Sequence, residues 1–225
     1  MFLKRSYQKE IMDDFSIADK RVDDALHDIK IINKYLGGKS TSITGINKLI
    51  GNIKTESGLL MLDVGAGGSD FLDSIVDSGT EFQCVSLDLN HRACKVLKNT
   101  LNVIPVNADA LKLPFRDNSF DIVHASLFLH HFTEDEIAIL LNEFKRTARC
   151  GIVINDLHRS ILALSGIRIL TTLFAKSSMV KNDAPLSVKR GFTKTDFVDI
   201  LRKQKISLYS INWRWAFRWL IVIHK

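Results

Sequence analysis

The chain has 225 residues, 46% of them hydrophobic and 25% charged, and carries a formal net charge of +6. This is the balance of a folded globular domain with a substantial core, which excludes disordered, fibrous and collagen-like classes. Three scattered cysteines exclude a disulfide framework, and basic residues spread along the chain argue against a nucleic-acid partner.

No apolar run is long enough to span a bilayer, and Met1 to Ser6 lacks the core of a signal peptide, so a cytoplasmic protein is the expectation. Ile11, Phe15, Val22, Leu26, Ile29, Ile32 and Leu36 recur at three- and four-residue steps, as on one face of a helix, which Gly37-Gly38 then ends. A second helical piece spans Thr44 to Ile53. Residues 1–53 therefore read as a helical cap segment ahead of the main domain, 54–225. The helices either lie across a ligand pocket or pack on the sheet edge.

Leu59-Leu60-Met61-Leu62-Asp63-Val64 reads as a buried strand, and Gly65-Ala66-Gly67-Gly68 as a tight turn into a helix near 69–78. Gly65 and Gly67 can adopt positive φ and admit a ligand close to the backbone, because no Cβ intervenes. The first helical N–H groups would point at it. The loop lacks the full dinucleotide fingerprint. A second strand, Phe82 to Leu87, ends at Asp88, an acid placed to accept from a ribose diol. A helix near 91–99 and a third strand near 103–106 follow, ahead of Asp109 and Ala110.

A fourth strand is expected near 121–126, and then a helix over 134–147 with Thr133 as its N-cap and Glu134, Asp135 and Glu136 in its first turn. Gly151 to Asn155 forms a fifth strand ending at Asp156. Strand and helix patterns alternate, the mark of a doubly wound parallel sheet. Asp63, Asp88, Asp109, Ser126 and Asp156 all fall at strand carboxyl ends, where such sheets bind ligands. Residues 157–192 read as an insertion. Their apolar run, Ile161 to Phe174, is greasier than a surface helix requires. A cap over an apolar pocket is the preferred reading, while core packing, a homodimer contact and a membrane-surface contact through 157–176 compete with it. A helix at 194–204 leads to a final hairpin, strands near 206–213 and 217–224, whose Trp213, Trp215 and Trp219 are expected to pack on the sheet or the cap.

Taken together, Leu62-Asp63-Val64-Gly65-Ala66-Gly67, the acid at 88, Asp109 and the block Leu113-Pro114-Phe115…Ser119-Phe120-Asp121-Ile122-Val123 resemble the class I S-adenosylmethionine-dependent methyltransferases. The resemblance covers residues 55–157 and, more loosely, the C-terminal third. It implies a seven-stranded, mostly parallel sheet with an antiparallel last strand, N-terminal helices and an inserted helical cap after the fifth strand. It further implies that Gly65, Ala66 and Gly67 pass under the amino-acid part of S-adenosylmethionine. Asp88, with Leu89 beside it, would hold the ribose, Asp109 the adenine amine and Ala110 the ring. Asp63 would support the loop and the ammonium group, and Ser126 joins this cofactor set.

An oxygen acceptor must lose its proton, and histidine titrates near working pH. Ser126-Leu127-Phe128-Leu129-His130-His131-Phe132 resembles the acceptor segment of small-molecule methyltransferases, which makes His130 and His131 the candidate bases. Where plant-type phenolic O-methyltransferases have His-Asp, this chain has His130-His131. His158 is the other candidate, with Asp156 near enough in sequence to orient it. No metal site is indicated, since His130 and His131 are adjacent and no third ligand clusters nearby in the sequence. The expected function is methyl transfer to a small hydrophobic acceptor, on the oxygen of a phenol or enol or alternatively on a quinone or polyketide ring carbon. A nucleic-acid or protein methyltransferase and a non-catalytic cofactor-binding module are the rivals.

Overall fold

The computed structural model describes residues 4–17, 19–51, 58–67, 82–98 and 102–225. Among the described residues seven strands form one sheet: β1 (Leu59–Val64), β2 (Phe82–Asp88), β3 (Val103–Asn107), β4 (Phe120–Ser126), β5 (Ala148–Leu157), β6 (Tyr209–Arg214) and β7 (Arg218–His224). Their spatial order is β3-β2-β1-β4-β5-β7-β6. Only β7 runs antiparallel to its neighbours β5 and β6, as expected. The order reverses between β1 and β4, which opens a crevice at their carboxyl ends. Pro105 is tolerated in β3 because that strand lies at the sheet edge.

Alternation along each strand assigns two layers. Leu62, Val64, Val123, Ile152, Ile154 and Ile221 face one core, shared with helices α4 (Glu134–Thr147) and α7 (Lys194–Lys203). Met61, Ile122, Val153, Leu220 and Val222 face the other, shared with Ile46 and Leu49 of helix α2 (Gly38–Ile50). Both faces of the central strands are covered, which is why they read as continuous apolar runs. Helix α3 (His91–Leu97) packs beside β2 and β3. The helix expected at 69–78 lies outside the described residues.

Local signals fix several boundaries. Thr133 and Glu136 close a capping box on α4, and Lys145 and Arg146 in its last turn complement the helix dipole. The N-terminal segment departs from the expectation of a helical face starting at Ile11. Helix α1 spans only Lys20–Tyr35 and is capped by the Asp19 carboxylate. Ahead of it, Ile11–Asp13 form a single 3-10 turn. The backbone N–H groups of Ile11 and Met12 donate to the buried Asp183 carboxylate, each at 2.9 Å, so the segment is tied down by tertiary contact. Gly37 does break the helix, in the left-handed region at φ 71°, and a Cβ there would strike the Trp215 carbonyl. The second helix begins at once, at Gly38 rather than Thr44.

The insertion forms two helices, α5 (Ile161–Phe174) and α6 (Ser178–Arg190). Ala163, Leu164 and Thr171 of α5 point inward, while Ile161, Leu162, Ile169, Leu173 and Phe174 are exposed. No helix among the described residues is long and apolar enough to cross a membrane. Of the three tryptophans, Trp219 is buried and donates its indole N–H to the Phe192 carbonyl, whereas Trp213 and Trp215 are exposed.

Candidate active site

A cavity of about 610 Å³ opens over the carboxyl ends of β1, β2 and β4, roofed by α1, α5 and α6. Its size is that of a small-molecule site. Asp63, Gly65, Ala66, Gly67, Asp88, Leu89, Asp109, Ala110 and Ser126 all line it, as do His130 and His131. Leu26, Ile29 and Ile32 from α1, with Ile167 and Leu170 from α5, make the opposite wall apolar. Thus α1 lies across the pocket while α2 packs on the sheet.

The glycine loop has the backbone its sequence requires. Gly65 and Gly67 both have positive φ, at 67° and 50°, and the Phe128 ring sits where a Gly65 Cβ would project. The N–H of Gly67 donates to Asp88 Oδ2 at 2.9 Å and that of Asn90 to Oδ1 at 2.7 Å. Both oxygens are thereby fixed, yet each keeps a lone pair for a further donor. Burial pushes the Asp88 carboxyl above its ordinary value, and these two N–H groups only partly offset that. Asp109 accepts from the Leu111 N–H and starts the short turn carrying Ala110.

Beneath the loop lies a polar chain on the α2 face of the sheet. Asp63 and His124 are register partners on β1 and β4, and His124 Nδ1 meets Asp63 Oδ1 at 2.7 Å. The other ring nitrogen is 2.9 Å from the Ser42 hydroxyl. Asn155 donates to the Ser42 oxygen at 2.9 Å and to the Gly38 carbonyl at 2.9 Å. Arg218 reaches Asn155 Oδ1 at 3.4 Å and Asn33 of α1 at 2.7 Å. Buried polar groups are stable only when paired, and this chain pairs them in series.

On the other face, His130 is buried and its Nδ1 lies 2.7 Å from Asp156 Oδ1. Asp156, expected to orient His158, therefore belongs to His130. Burial alone would raise the Asp156 carboxyl, but the charge and hydrogen bond of His130 outweigh it and hold the group low. His131 Nδ1 meets Asp13 Oδ1 at 2.6 Å, and the two imidazole rings lie 4.3 Å apart. Glu10 reaches the pair from the N-terminal segment, with Oε1 3.7 Å from His130 Nε2. Arg190 donates to the His130 and His131 carbonyls, at 3.0 and 2.7 Å, and to Asp13 at 2.6 Å. Arg5 donates to the carbonyls of His130 and Phe132. The segment 5–13 is thus strapped across the histidine turn. His158 lines no part of the cavity. Its Nδ1 accepts from the Trp213 indole at 3.2 Å, and burial together with the Arg159 charge lowers its pKa, keeping the ring neutral for that role.

Residues 62–154 match the family model described as a methyltransferase domain. The matched stretch runs from β1 into β5 and includes the glycine loop, Asp88 and Asp109. An uncharacterized chloroplastic methyltransferase of Arabidopsis thaliana is 32% identical over 108 residues, 44% of this chain and 30% of that protein. The chain thus spans under a third of that relative. Human N-acetylserotonin methyltransferase, solved with SAM, superposes with a TM-score of 0.69 at 12% identity, over 98% of this chain and 60% of that one. The magnesium protoporphyrin IX methyltransferase of Synechocystis, solved with SAH, gives 0.56 at 15% identity, over 86% and 87%. At such identities the likeness is one of fold. The methyltransferase family uses S-adenosylmethionine, and the two positive-φ glycines and the fixed Asp88 carboxylate suit that cofactor.

Sequence reasoning missed four residues that line or brace this cavity: Glu10, Phe128, His124 and Arg190. His124 had a signal, a titratable residue set among Ile122, Val123 and Ala125 in a buried strand. Glu10, Arg190 and Phe128 had none, because their place depends on tertiary contacts.

Proposed function

We propose that this chain is an S-adenosylmethionine-dependent methyltransferase whose acceptor is a small hydrophobic molecule methylated on a phenol or enol oxygen. The observation that carries the reading is one cavity with two chemistries, a glycine-and-carboxylate end at β1 and β2 and an apolar end under α1 and α5. S-adenosylmethionine supplies an electrophilic methyl group on a sulfonium, so the protein has chiefly to align the acceptor and dispose of its proton. Gly65, Ala66 and Gly67 offer backbone to the amino-acid part, Asp88 with Leu89 takes the ribose hydroxyls, and Asp109 with Ala110 takes the adenine. Asp63 and Ser126 support that end.

His130 and His131 line the cavity where an acceptor oxygen would lie and are assigned to it. His158, outside the cavity, is assigned no part. Residues 1–53, with the 157–192 insertion, are assigned the role of shaping the acceptor end. The test is calorimetric titration with S-adenosylhomocysteine, followed by transfer of labelled methyl to alkylated phenols. Saturable binding that Asp88→Ala abolishes, with label recovered as a methyl ether, supports the reading. Failure of a well-folded protein to bind S-adenosylhomocysteine overturns it, and label recovered on ring carbon moves the reaction to C-methylation.

A further inference from the structure

Glu10 is the least explained residue of the cavity. Its side chain is only 4% exposed, yet Oε1 has no hydrogen-bond partner among the described residues. Arg190 Nη1 and His130 Nε2 each lie 3.7 Å from it, so charge offsets its burial while its hydrogen-bonding capacity goes unused. It faces two histidines held in a particular way. Each has Nδ1 against a carboxylate, Asp156 for His130 and Asp13 for His131, at 2.7 and 2.6 Å. That leaves the Nε2 atoms for another partner, and among the described residues none takes that of His130 within hydrogen-bonding distance, Glu10 being 3.7 Å away.

We propose that Glu10, His130 and His131 form a site for one divalent transition-metal ion, with two nitrogens and one oxygen as ligands. One candidate ligand atom from each of the three lies within 4.8 Å of the others. A bound zinc-type ion wants such atoms about 3.3 Å apart, given metal–ligand bonds of about 2.1 Å, so modest side-chain rotations close the set. A carboxylate behind each ligating imidazole is the arrangement that fixes the tautomer and strengthens the ligand. Three carboxylates (Glu10, Asp13, Asp156) surround the turn, with Arg190 on Asp13 and Arg5 on the backbone carbonyls. Two imidazoles and a carboxylate suit zinc, iron(II) or cobalt(II) better than magnesium or calcium. Three protein ligands also leave a coordination position on the cavity side.

Resting on the proposed methyl transfer, that position would take the acceptor hydroxyl and lower its pKa, so that it binds as the oxyanion with its proton released to solvent and no histidine base is needed. An acceptor with a second oxygen beside the first, as in an enol next to a carbonyl, would fit it best.

The experiment uses the untagged full chain, stripped with chelator and titrated with Co²⁺ while the visible absorption is recorded, with zinc binding measured by equilibrium dialysis. Expected is one equivalent of metal, with a nitrogen/oxygen-type cobalt spectrum lacking sulfur charge-transfer bands. Glu10→Gln and His131→Ala should abolish stoichiometric binding, and Asp13→Asn should weaken it about 10- to 100-fold. S-adenosylhomocysteine titration of the same samples separates the two proposals. Cofactor binding without metal binding overturns the metal site alone, and metal binding without cofactor binding overturns methyl transfer alone. A folded wild type that takes up no stoichiometric metal, or metal uptake unchanged in both variants, refutes the site.

Discussion

Gly65→Ala tests the cofactor loop most directly. Two separate effects oppose an alanine there. At φ 67° an L side chain sits in the left-handed region, which costs about 1–2 kcal/mol. Its Cβ would also fall inside the Phe128 ring, itself held edge-on by Phe132 at 4.8 Å, and such overpacking costs about 1–3 kcal/mol. The sum, about 2–5 kcal/mol, is a large part of the 5–15 kcal/mol typical of a folded domain. The assay is urea unfolding followed by circular dichroism, run on Gly65→Ala, Phe128→Ala and the double variant. Removing the ring should return the overpacking share and leave the backbone share, so the two losses should fail to add by about 1–3 kcal/mol. Strict additivity, or a loss from Gly65→Ala below about 1 kcal/mol, would show that the loop is not built around a missing side chain.

Other outcomes follow from the same geometry. Asp88→Asn should weaken S-adenosylhomocysteine binding at least tenfold in calorimetry. Because burial raises the Asp88 carboxyl and ribose hydroxyls favour its ionised form, wild-type affinity should rise with pH through that elevated range and then level off, with a proton released on binding. A profile identical to that of Asp88→Asn would count against the assignment. Gly166→Leu should leave cofactor affinity unchanged and reduce acceptor turnover, since no atom of the described residues lies within 4 Å of a Cβ there and the residue lines the cavity. Its melting temperature should not fall, because glycine is a poor helix former. Thr133→Ala should cost about 1 kcal/mol in unfolding measurements, through loss of the capping box on α4.

The sheet and its ligand edge were legible because they rest on local rules. Apolar runs marked β1 and β5, and the acids at 63, 88 and 156 lay at strand carboxyl ends as read. Thr133-Glu134-Asp135-Glu136 announced its helix correctly. What failed to show was pairing across the chain. Asp156 sits two residues from His158 in sequence, yet β4 and β5 are parallel neighbours with Ser126 opposite Asn155, so the turn after β4 delivers His130 to it. Periodicity carried the first helix back to Ile11, because helical spacing cannot reveal that Asp183 binds those amides from 172 residues away. The same blindness hid Glu10 beside the histidine turn.

The polar chain from Asp63 through His124, Ser42 and Asn155 to Arg218 and Asn33 has a bearing on re-engineering. Helix α1 lines the apolar end of the cavity, which makes the N-terminal segment an obvious piece to exchange between homologues when reshaping that end. Yet Asn33 and Ser42 travel on that piece, while His124, Asn155 and Arg218 stay behind. A chimera that swaps only the wall would strand buried hydrogen-bonding groups under the cofactor loop. The workable crossover carries those two side chains along and varies only Leu26, Ile29 and Ile32.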